Sequence, residues 1–363
     1  MEQWGGDAIR VAMVVVSLTF AESVAHSQSQ PLPQPGDLQR QVEPERRPEL
    51  PDLRLAPPRL RAPTEPTPGE DVVTVVRWQF SGNTVLSTAR LEALLEPFTR
   101  RGLSFDNLEE AARAVEQAYD EAGYLASVTL PAQDITEGVV RMDILEARFG
   151  AVRLAAGAET RVRAERIARV IERQQRPGTV LDFDRLDRGL LLADDLPGVT
   201  VEGALEAGQG EGLTDLALNT AAQPAAAFDL SFDNTNSRSV GPYRANASAL
   251  FVSPFGRSET LSLQGLRSEG SVFGRASVGF PVGVGGLRGN TYASRMDYSV
   301  ISPELEALDL QGSSETVGAD LRYPLVRSRP FNLYAELQGE WRGYDSRAGD
   351  DPQSDYSIDS LQW

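Results

Sequence analysis

From Ala226 to its C-terminus the chain alternates apolar and polar residues with a period of two. The pattern is clearest in 331–341, where the apolar positions are Phe331, Leu333, Ala335, Leu337 and Trp341. About seven such segments, each roughly ten residues long and bounded by Gly, Pro, Asn or Ser, follow one another without a helical period. Alternate side chains of a strand lie on opposite faces, so this half of the chain is predicted to be an antiparallel β-sheet.

The two faces of this predicted sheet indicate a membrane environment. A transmembrane β-barrel turns alternate apolar side chains toward lipid and the intervening polar side chains toward its lumen. We predict the N-terminal part of such a barrel over 223–363, with Tyr292, Tyr298 and Trp341 available for the aromatic girdles at the membrane interfaces. A soluble β-sandwich shows the same alternation and is the alternative.

Residues 71–147 precede the sheet and begin a small mixed unit. The run 72–80 is rich in Val and aromatic residues, which favours a strand. Two amphipathic helices are predicted after this strand, because apolar residues recur there at helical spacing. Ser87 can cap the first helix and Ser104 the second. Gly123 follows the second helix and is a suitable left-handed residue for ending it.

Two further strands complete this unit. We predict a strand at 124–130, a turn at 131–138 and a last strand at 139–146. Two amphipathic helices need a sheet to cover their apolar faces, so the elements form an α+β sandwich of about 75 residues. The predicted order is therefore β-α-α-β-β.

The same order of elements is repeated over 148–222. The predicted elements are a strand at 149–154, helices at 160–175 and 183–195, and strands at 199–205 and 214–220. A second β-α-α-β-β unit of similar length is the simplest interpretation, and an unrelated α+β domain is the alternative.

The first 25 residues have the outline of a secretory signal. The apolar run 11–21 is too short to span a bilayer, and Ser23 and Ala25 supply small residues before a cleavage point. Arg10 is the only basic residue in this segment, so a misassigned start or an uncleaved anchor are alternatives. Cleavage would imply export from the cytoplasm.

Residues 26–70 are dense in proline and predict a linker. Such a segment cannot bury enough apolar surface to offset the entropy of ordering. Within it, 37–43 could form one short helix before Pro44 ends it.

Composition excludes several classes of function. The formal net charge of −17 argues against a nucleic-acid binder, which needs a basic surface. The absence of cysteine excludes disulfides and thiolate metal sites, and a single histidine, His26, leaves histidine-based triads and zinc sites unsupported. No nucleophilic elbow, phosphate loop or EF-hand loop is present, so we expect neither an enzyme nor a cofactor or metal site.

Several short motifs occur in a fixed order in 71–147. They are F-x-G-N-T (Phe80, Gly82, Asn83, Thr84), A-G-Y-L (122–125), L-P-A-Q-D (130–134), G-V-V-R (138–141) and L-E-A-R (145–148). This ordered set resembles the first POTRA domain of the haemolysin secretion/activation family, of the ShlB/FhaC/HecB type. These proteins are the outer-membrane transporters of bacterial two-partner secretion, and L-P-G-V (196–199) with G-L-T-D-L (212–216) resembles their second POTRA domain.

The resemblance implies two POTRA domains in the periplasm, at 71–147 and 148–222, followed by a barrel in the bacterial outer membrane. In the family an N-terminal helix plugs the barrel lumen, which is the role implied for 37–43. The family's barrel has more strands than this sequence supplies, so we expect a fragment, with a small closed eight-stranded barrel as the alternative. The letters R-G-Y at 342–344 match a family loop motif but fall inside a predicted strand, and we interpret them as coincidental.

We predict that the first unit recognises an unfolded secreted exoprotein, haemolysin-like or adhesin-like, and passes it through the barrel without nucleotide hydrolysis. An exposed sheet edge can accept such a chain as an added strand, because backbone hydrogen bonds give affinity and alternate side chains give selection. The candidate partner-binding residues are Tyr124, Leu125, Ala126, Ser127, Val128, Thr129, Leu130, Pro131, Ala132, Gln133 and Asp134.

The expected partners are that exoprotein and outer-membrane lipid, with no nucleic acid, and the chain is expected to be a monomer. The main alternative is an outer-membrane assembly factor, a POTRA-barrel protein that inserts other barrels. A passive porin or adhesin is a further alternative, but it gives the helical units no role.

Overall fold

The computed structural model describes residues 72–363, apart from 136, 156 and 158. The predicted signal (1–25), linker (26–70) and short helix (37–43) therefore lie outside the described residues. Within the described part, none of the helices combines the length and the apolar character needed to cross a bilayer.

The first unit is a three-stranded sheet covered by two helices. Its elements are β1 (Val73–Thr74), β2 (Arg77–Ser81), α1 (Thr88–Leu94), a 3₁₀ helix (Glu96–Phe98), β3 (Gly102–Leu103), α2 (Phe105–Glu121), β4 (Ala126–Thr129) and β5 (Val139–Glu146). The sheet order is β2-β5-β4, in which β2 runs parallel and β4 antiparallel to β5. The predicted single strand 72–80 is wrong in one respect, because it divides into β1, which pairs with β3, and β2.

Local sequence determines the ends of the second helix. The Ser104 hydroxyl accepts a hydrogen bond from the Asn107 N–H, and the Asn107 side chain accepts one from the Ser104 N–H, which forms a reciprocal capping box. The helix ends before Gly123, which has φ of +82°. Its apolar face, with Val115 and Tyr119 fully buried, packs on the sheet. The predicted caps at Ser87 and Ser104 are thus confirmed.

The second unit repeats this arrangement. Its elements are β6 (Arg148–Leu154), α3 (Ala164–Gln174), α4 (Phe183–Asp194), β7 (Val199–Ala207) and β8 (Leu213–Ala222), with sheet order β6-β8-β7. Phe149, Ile167, Ile171 and Leu218 are fully buried in its separate core. The β-α-α-β-β order predicted for 148–222 is present.

The C-terminal half is one antiparallel sheet of eight strands. They are β9 (Ala226–Asp233), β10 (Arg244–Val252), β11 (Thr260–Ser268), β12 (Ser271–Val282), β13 (Leu287–Ser299), β14 (Leu310–Arg327), β15 (Asn332–Ala348) and β16 (Asp351–Gln362). Each strand pairs with its neighbours in sequence, and β9 and β16 form the two edges. Among the described residues these edges are not paired with each other, so the alternative of a closed eight-stranded barrel is wrong for this structure.

The two faces of this sheet differ as the alternation predicts. Val317, Leu321 and Trp341 are exposed on the outer face, whereas Thr316 and Glu340 are buried on the inner face. The sequence letters R-G-Y at 342–344 lie within a strand, β15, as predicted. Their interpretation as a coincidental match stays a prediction.

The assignment of two tyrosines to an interfacial girdle is wrong. Tyr292 and Tyr298 are only 5% and 7% exposed and lie on the inner face. The Tyr292 hydroxyl donates to Glu340 Oε2 at 2.7 Å and accepts from Gln338 Nε2 at 2.8 Å, which satisfies its polar end inside. Of the three aromatic residues proposed, only Trp341 lies on the outer face.

Candidate functional site

Strand β4 forms one edge of the first sheet. It pairs with β5 on one side, from Ala126 opposite Glu146 to Thr129 opposite Asp143, and with no other strand on its other side in the described part of the chain. Alternate residues of an antiparallel pair turn their N–H and C=O groups toward and away from the partner strand. Since the Leu125 carbonyl accepts from the Ala147 N–H at 2.9 Å, odd-numbered residues face β5.

The candidate residues 124–134 are not one continuous strand. The predicted strand 124–130 is too long at both ends, because β4 comprises only Ala126–Thr129. Tyr124 instead forms an isolated bridge with Asp182 of the second unit, and the Phe183 N–H donates to the Gly123 carbonyl at 2.8 Å. These contacts join the two units just before β4 begins.

Side chains of β4 alternate between the core and solvent. Ala126 and Val128 are buried against the helices, whereas Ser127 and Thr129 are exposed. Leu130, beyond the strand, is half-buried against the same core. A chain added to this edge would therefore meet small polar side chains on the solvent face.

A residue that the sequence did not indicate occupies the free edge. Val128 is even-numbered, so its N–H points away from β5, and it donates to Glu116 Oε1 at 2.8 Å. Glu116 is half-buried on α2, twelve residues earlier in the chain. Its carboxylate therefore takes the position that the carbonyl oxygen of an incoming strand would need.

The glutamine of the L-P-A-Q-D motif has a structural role. The next ladder position after Thr129 would set Pro131 opposite Arg141, but proline has no N–H to donate. The Gln133 amide takes its place, since Gln133 Oε1 accepts from the Arg141 N–H at 2.6 Å and Gln133 Nε2 donates to the Arg141 carbonyl at 2.8 Å. The turn thereby extends the edge of the sheet past β4 with a side chain.

A buried carboxylate connects the motifs at the opposite end of β5. Glu146 is 7% exposed, and its Oε1 accepts from the Thr84 N–H at 2.6 Å, the Val85 N–H at 2.8 Å and the Tyr119 hydroxyl at 2.9 Å. The Thr84 hydroxyl donates to the other oxygen. Burial alone would raise the pKa of Glu146, but these hydrogen bonds outweigh it and hold the pKa below its ordinary value. Burial and the bond to Glu146 raise the pKa of Tyr119.

Gly82 allows this end of the unit to close. It has φ of +83°, and a Cβ at this position would lie 2.1 Å from the carbonyl oxygen of Ile144 on β5. Beside it, Ser81 Oγ donates to Asp143 Oδ1 at 2.5 Å, and hydrogen bonds from Ser81 and then Arg141 lower the pKa of Asp143. The F-x-G-N-T and L-E-A-R motifs are therefore two halves of one structural cluster.

The described residues form no cluster of metal-binding side chains. No group of three or more His, Asp or Glu side chains within 72–363, as far as the structure describes this range, is placed to hold a metal ion. In the described part of the chain the first unit presents the edge strand β4, with the Glu116 carboxylate hydrogen-bonded to it.

The fold and the comparisons below define a class of protein: POTRA modules followed by a barrel-like antiparallel sheet of the bacterial outer membrane. A family model for the POTRA domain, ShlB-type, matches 73–147, and the model for the haemolysin secretion/activation protein ShlB/FhaC/HecB matches 212–352. Together these matches cover more than half of the chain. The chain belongs to the ShlB/FhaC/HecB family of haemolysin secretion/activation proteins.

Curated relatives agree with this assignment. The chain is 25% identical over 258 residues to the heme/hemopexin transporter protein HuxB of Haemophilus influenzae, which covers 70% of this chain and 45% of HuxB. It is 26% identical over 212 residues to the outer membrane transporter CdiB of Escherichia coli, which covers 58% of this chain and 35% of CdiB. The chain thus spans less than half the length of these relatives.

A solved structure shows the same fold. CdiB from Escherichia coli superimposes with a TM-score of 0.65 at 21% sequence identity, over 84% of this chain and 57% of that one. The predicted fold class, and the outer-membrane location with POTRA domains in the periplasm, are confirmed. The bounds of the five predicted segments, 1–25, 26–70, 71–147, 148–222 and 223–363, and the partner-binding residues stay predictions.

Proposed function

We propose that this chain recognises an unfolded secreted partner protein in the periplasm and passes it through the outer membrane without nucleotide hydrolysis. The observation that carries the proposal is the edge strand β4, which lies in the unit that matches the ShlB-type POTRA model. The relatives HuxB and CdiB are named as transporters rather than as enzymes or assembly factors, which supports export over catalysis and over barrel insertion.

The partner docks as an additional strand on β4. Backbone groups of Ala126 and Val128 point away from β5 and are the ones that an added strand would use. Ser127 and Thr129 contact the alternate side chains of the partner on the solvent face. The turn 131–134 bounds the site, because Gln133 has already satisfied the backbone of Arg141.

Glu116 competes with the partner for the same edge. Its carboxylate accepts from the Val128 N–H, so an incoming carbonyl must displace it. Such protection of an edge prevents uncontrolled pairing with other exposed strands. We propose that Glu116 keeps the site closed to weakly bound chains.

Movement through the membrane needs no cofactor in this proposal. Folding of the partner outside the cell supplies the driving force for its passage. The sheet β9–β16 forms part of the channel wall. Its exposed outer residues, such as Val317, Leu321 and Trp341, contact lipid, and the chain acts as a monomer.

Replacement of Val128 by proline tests the docking site. The Val128 N–H points away from β5, so proline at this edge position leaves the β4–β5 ladder intact but removes the donor that the partner needs. We expect export of the secreted partner protein to be lost, while the variant still reaches the outer membrane. Val128→Ala, which keeps the N–H, is the matched control. Unchanged export by Val128→Pro would contradict docking at β4.

A further inference from the structure

The second unit is fastened to one end of the large sheet by arginine contacts. Arg327 donates from Nε and Nη2 to both carboxylate oxygens of Asp195, each at 2.8 Å. Arg188 Nη2 donates to the Pro324 carbonyl at 2.7 Å, and Arg166 Nη2 donates to the Gly283 carbonyl at 3.0 Å. The helices of the second unit therefore lie directly against the strand ends and turns of β12–β15.

A cavity of about 230 Å³ lies at this junction. Its walls come from both sides, with Leu192 and Leu196 from the second unit and Val284 from the β12–β13 turn. Arg288 and Arg322, which are paired opposite each other on β13 and β14, supply its positive charge. Small-molecule pockets usually measure roughly 300–1,000 Å³, so this cavity suits a side chain better than a cofactor.

The positive charge in this cavity is only partly balanced by the protein groups that the structure describes, since Asp195 also lines the cavity and attracts Arg288. Arg288 Nη1, in the cavity wall, is shielded from solvent and donates no hydrogen bond to a described residue. The same holds for Nε of Arg166, which does not line the cavity itself. Asp195 is the nearby carboxylate, but Arg327 already binds both of its oxygens. The Arg322 guanidinium lies 4.1 Å above the ring of Tyr334, an aromatic face that carries no formal charge.

Buried guanidinium groups are normally paired, because leaving such a charge unpaired is strongly unfavourable. A carboxylate matches the planar donor geometry of arginine better than any other side-chain group, and it can bind in bidentate fashion. The apolar walls beside Arg288 can accept the aliphatic neighbours of that carboxylate. The cavity lies where the second unit contacts the sheet, so a chain exported as proposed above would pass from one to the other at this point.

We propose that the Arg288 cavity binds an aspartate or glutamate side chain of the extended polypeptide as it passes from the second unit to the sheet. This inference rests on the proposed export function, and it names a chemical feature of the exported chain. The cavity provides a transient binding position after β4, selecting acidic side chains flanked by apolar ones.

The test compares two short unstructured peptides that differ only in carrying Glu or Gln between Val residues. They are titrated onto the full chain in detergent micelles, in the Val128→Pro background, so that binding at β4 does not contribute. We expect the Glu peptide to bind at least tenfold more tightly than the Gln peptide, and Arg288→Gln to abolish this preference. Arg153→Gln is the control, because Arg153 pairs with Asp215 outside the cavity and should leave the preference intact.

Three results would overturn the assignment. One is equal affinity of the wild-type cavity for both peptides. Another is a retained Glu preference in Arg288→Gln and also in Arg288→Met, which keeps an unbranched stem and covers the case in which one variant fails to fold. Inorganic phosphate that competes as well as free glutamate would also overturn it, since the site would then take any oxyanion. Export that survives Val128→Pro would refute docking at β4 but leave the peptide comparison valid.

Discussion

Replacing Glu116 by alanine should strengthen the docking of an extended peptide at β4. In the present structure the Val128 N–H donates to Glu116 Oε1 at 2.8 Å. A partner strand must break this bond before its own carbonyl can accept from Val128. The substitution removes that competitor without touching β4 itself, and it leaves the Val128 N–H directed to the edge.

The size of the effect follows from the bond that is lost. A hydrogen bond to a charged group contributes about 1.5–3 kcal/mol when well shielded. Glu116 is only half-buried, so water replaces part of the interaction and about 1 kcal/mol remains. At 25 °C that difference corresponds to roughly fivefold tighter docking.

Fluorescence anisotropy of a labelled peptide of alternating Thr and Val, titrated onto the full chain in micelles, measures the affinity. Hydrogen exchange of the Val128 amide supplies a second readout that needs no partner, and it should become faster in Glu116→Ala. Glu116→Gln keeps an acceptor oxygen and should behave nearly as wild type. Glu121→Ala is the matched surface control, because Glu121 lies on the same helix and its side chain accepts a hydrogen bond from Gln117.

Two results would refute this reasoning. If neither the peptide affinity nor the Val128 exchange rate changes in Glu116→Ala, the carboxylate does not protect the edge in solution. If the affinity falls instead, Glu116 contacts the partner directly and promotes docking rather than competing with it.

Substitutions at three further residues test the structural basis of the site, each by hydrogen exchange of the first-unit amides in the full chain. Glu146→Ala should cost about 3 kcal/mol, because it leaves the buried Tyr119 hydroxyl and two partly buried backbone N–H groups without their acceptor. Because the pKa of Glu146 is lowered in the folded state, the stabilisation by its carboxylate is complete above pH about 4.5, the ordinary pKa of glutamate, and is lost as the pH falls through the folded-state pKa. Glu146→Gln should flatten this loss of stability in acid. An unchanged dependence of stability on pH would contradict the role of the carboxylate. Gly82→Ala should destabilise the unit by about 2 kcal/mol or more, since its Cβ would clash with the Ile144 carbonyl, and a neutral effect would mean that the loop relaxes. Gln133→Ala should expose the Arg141 amide to fast exchange while Val128 stays protected, and equal loss at both would argue against a local role.

Local sequence signals accounted for most of the architecture. Caps such as Ser104 and the left-handed Gly123 act within one turn of chain, and the period-two alternation from Ala226 onward is a direct consequence of strand geometry. The ordered motifs of the first unit gave the family before any contact was known. Their physical role was not visible, because Thr84 and Glu146 meet only when the chain has folded across sixty-two positions.

Face assignment shows where alternation stops being sufficient. The period of two places Tyr292 and Ala293 on opposite faces of the sheet, but it does not determine which of the two faces is the inner one. On β13 the outer face carries the apolar Ala293 but also the charged residues Arg295 and Asp297. The polarity of the side chains therefore does not identify the outer face of this strand, and the prediction placed Tyr292 wrongly at the lipid interface. The hydrogen bond to Glu340 on β15 decided its orientation.

The sequence by itself determined the order of helices and strands, the change from mixed units to a two-faced sheet, and the strand that bears the exposed edge. Only the tertiary structure decided that Glu116 occupies that edge, that Gln133 replaces a missing backbone donor, and that Arg288 lies in a shielded cavity. The physical reason is the range of the interactions. Periodicity and capping depend on neighbouring backbone angles, whereas a side chain that bonds to a distant backbone group depends on distances that arise only after the elements pack.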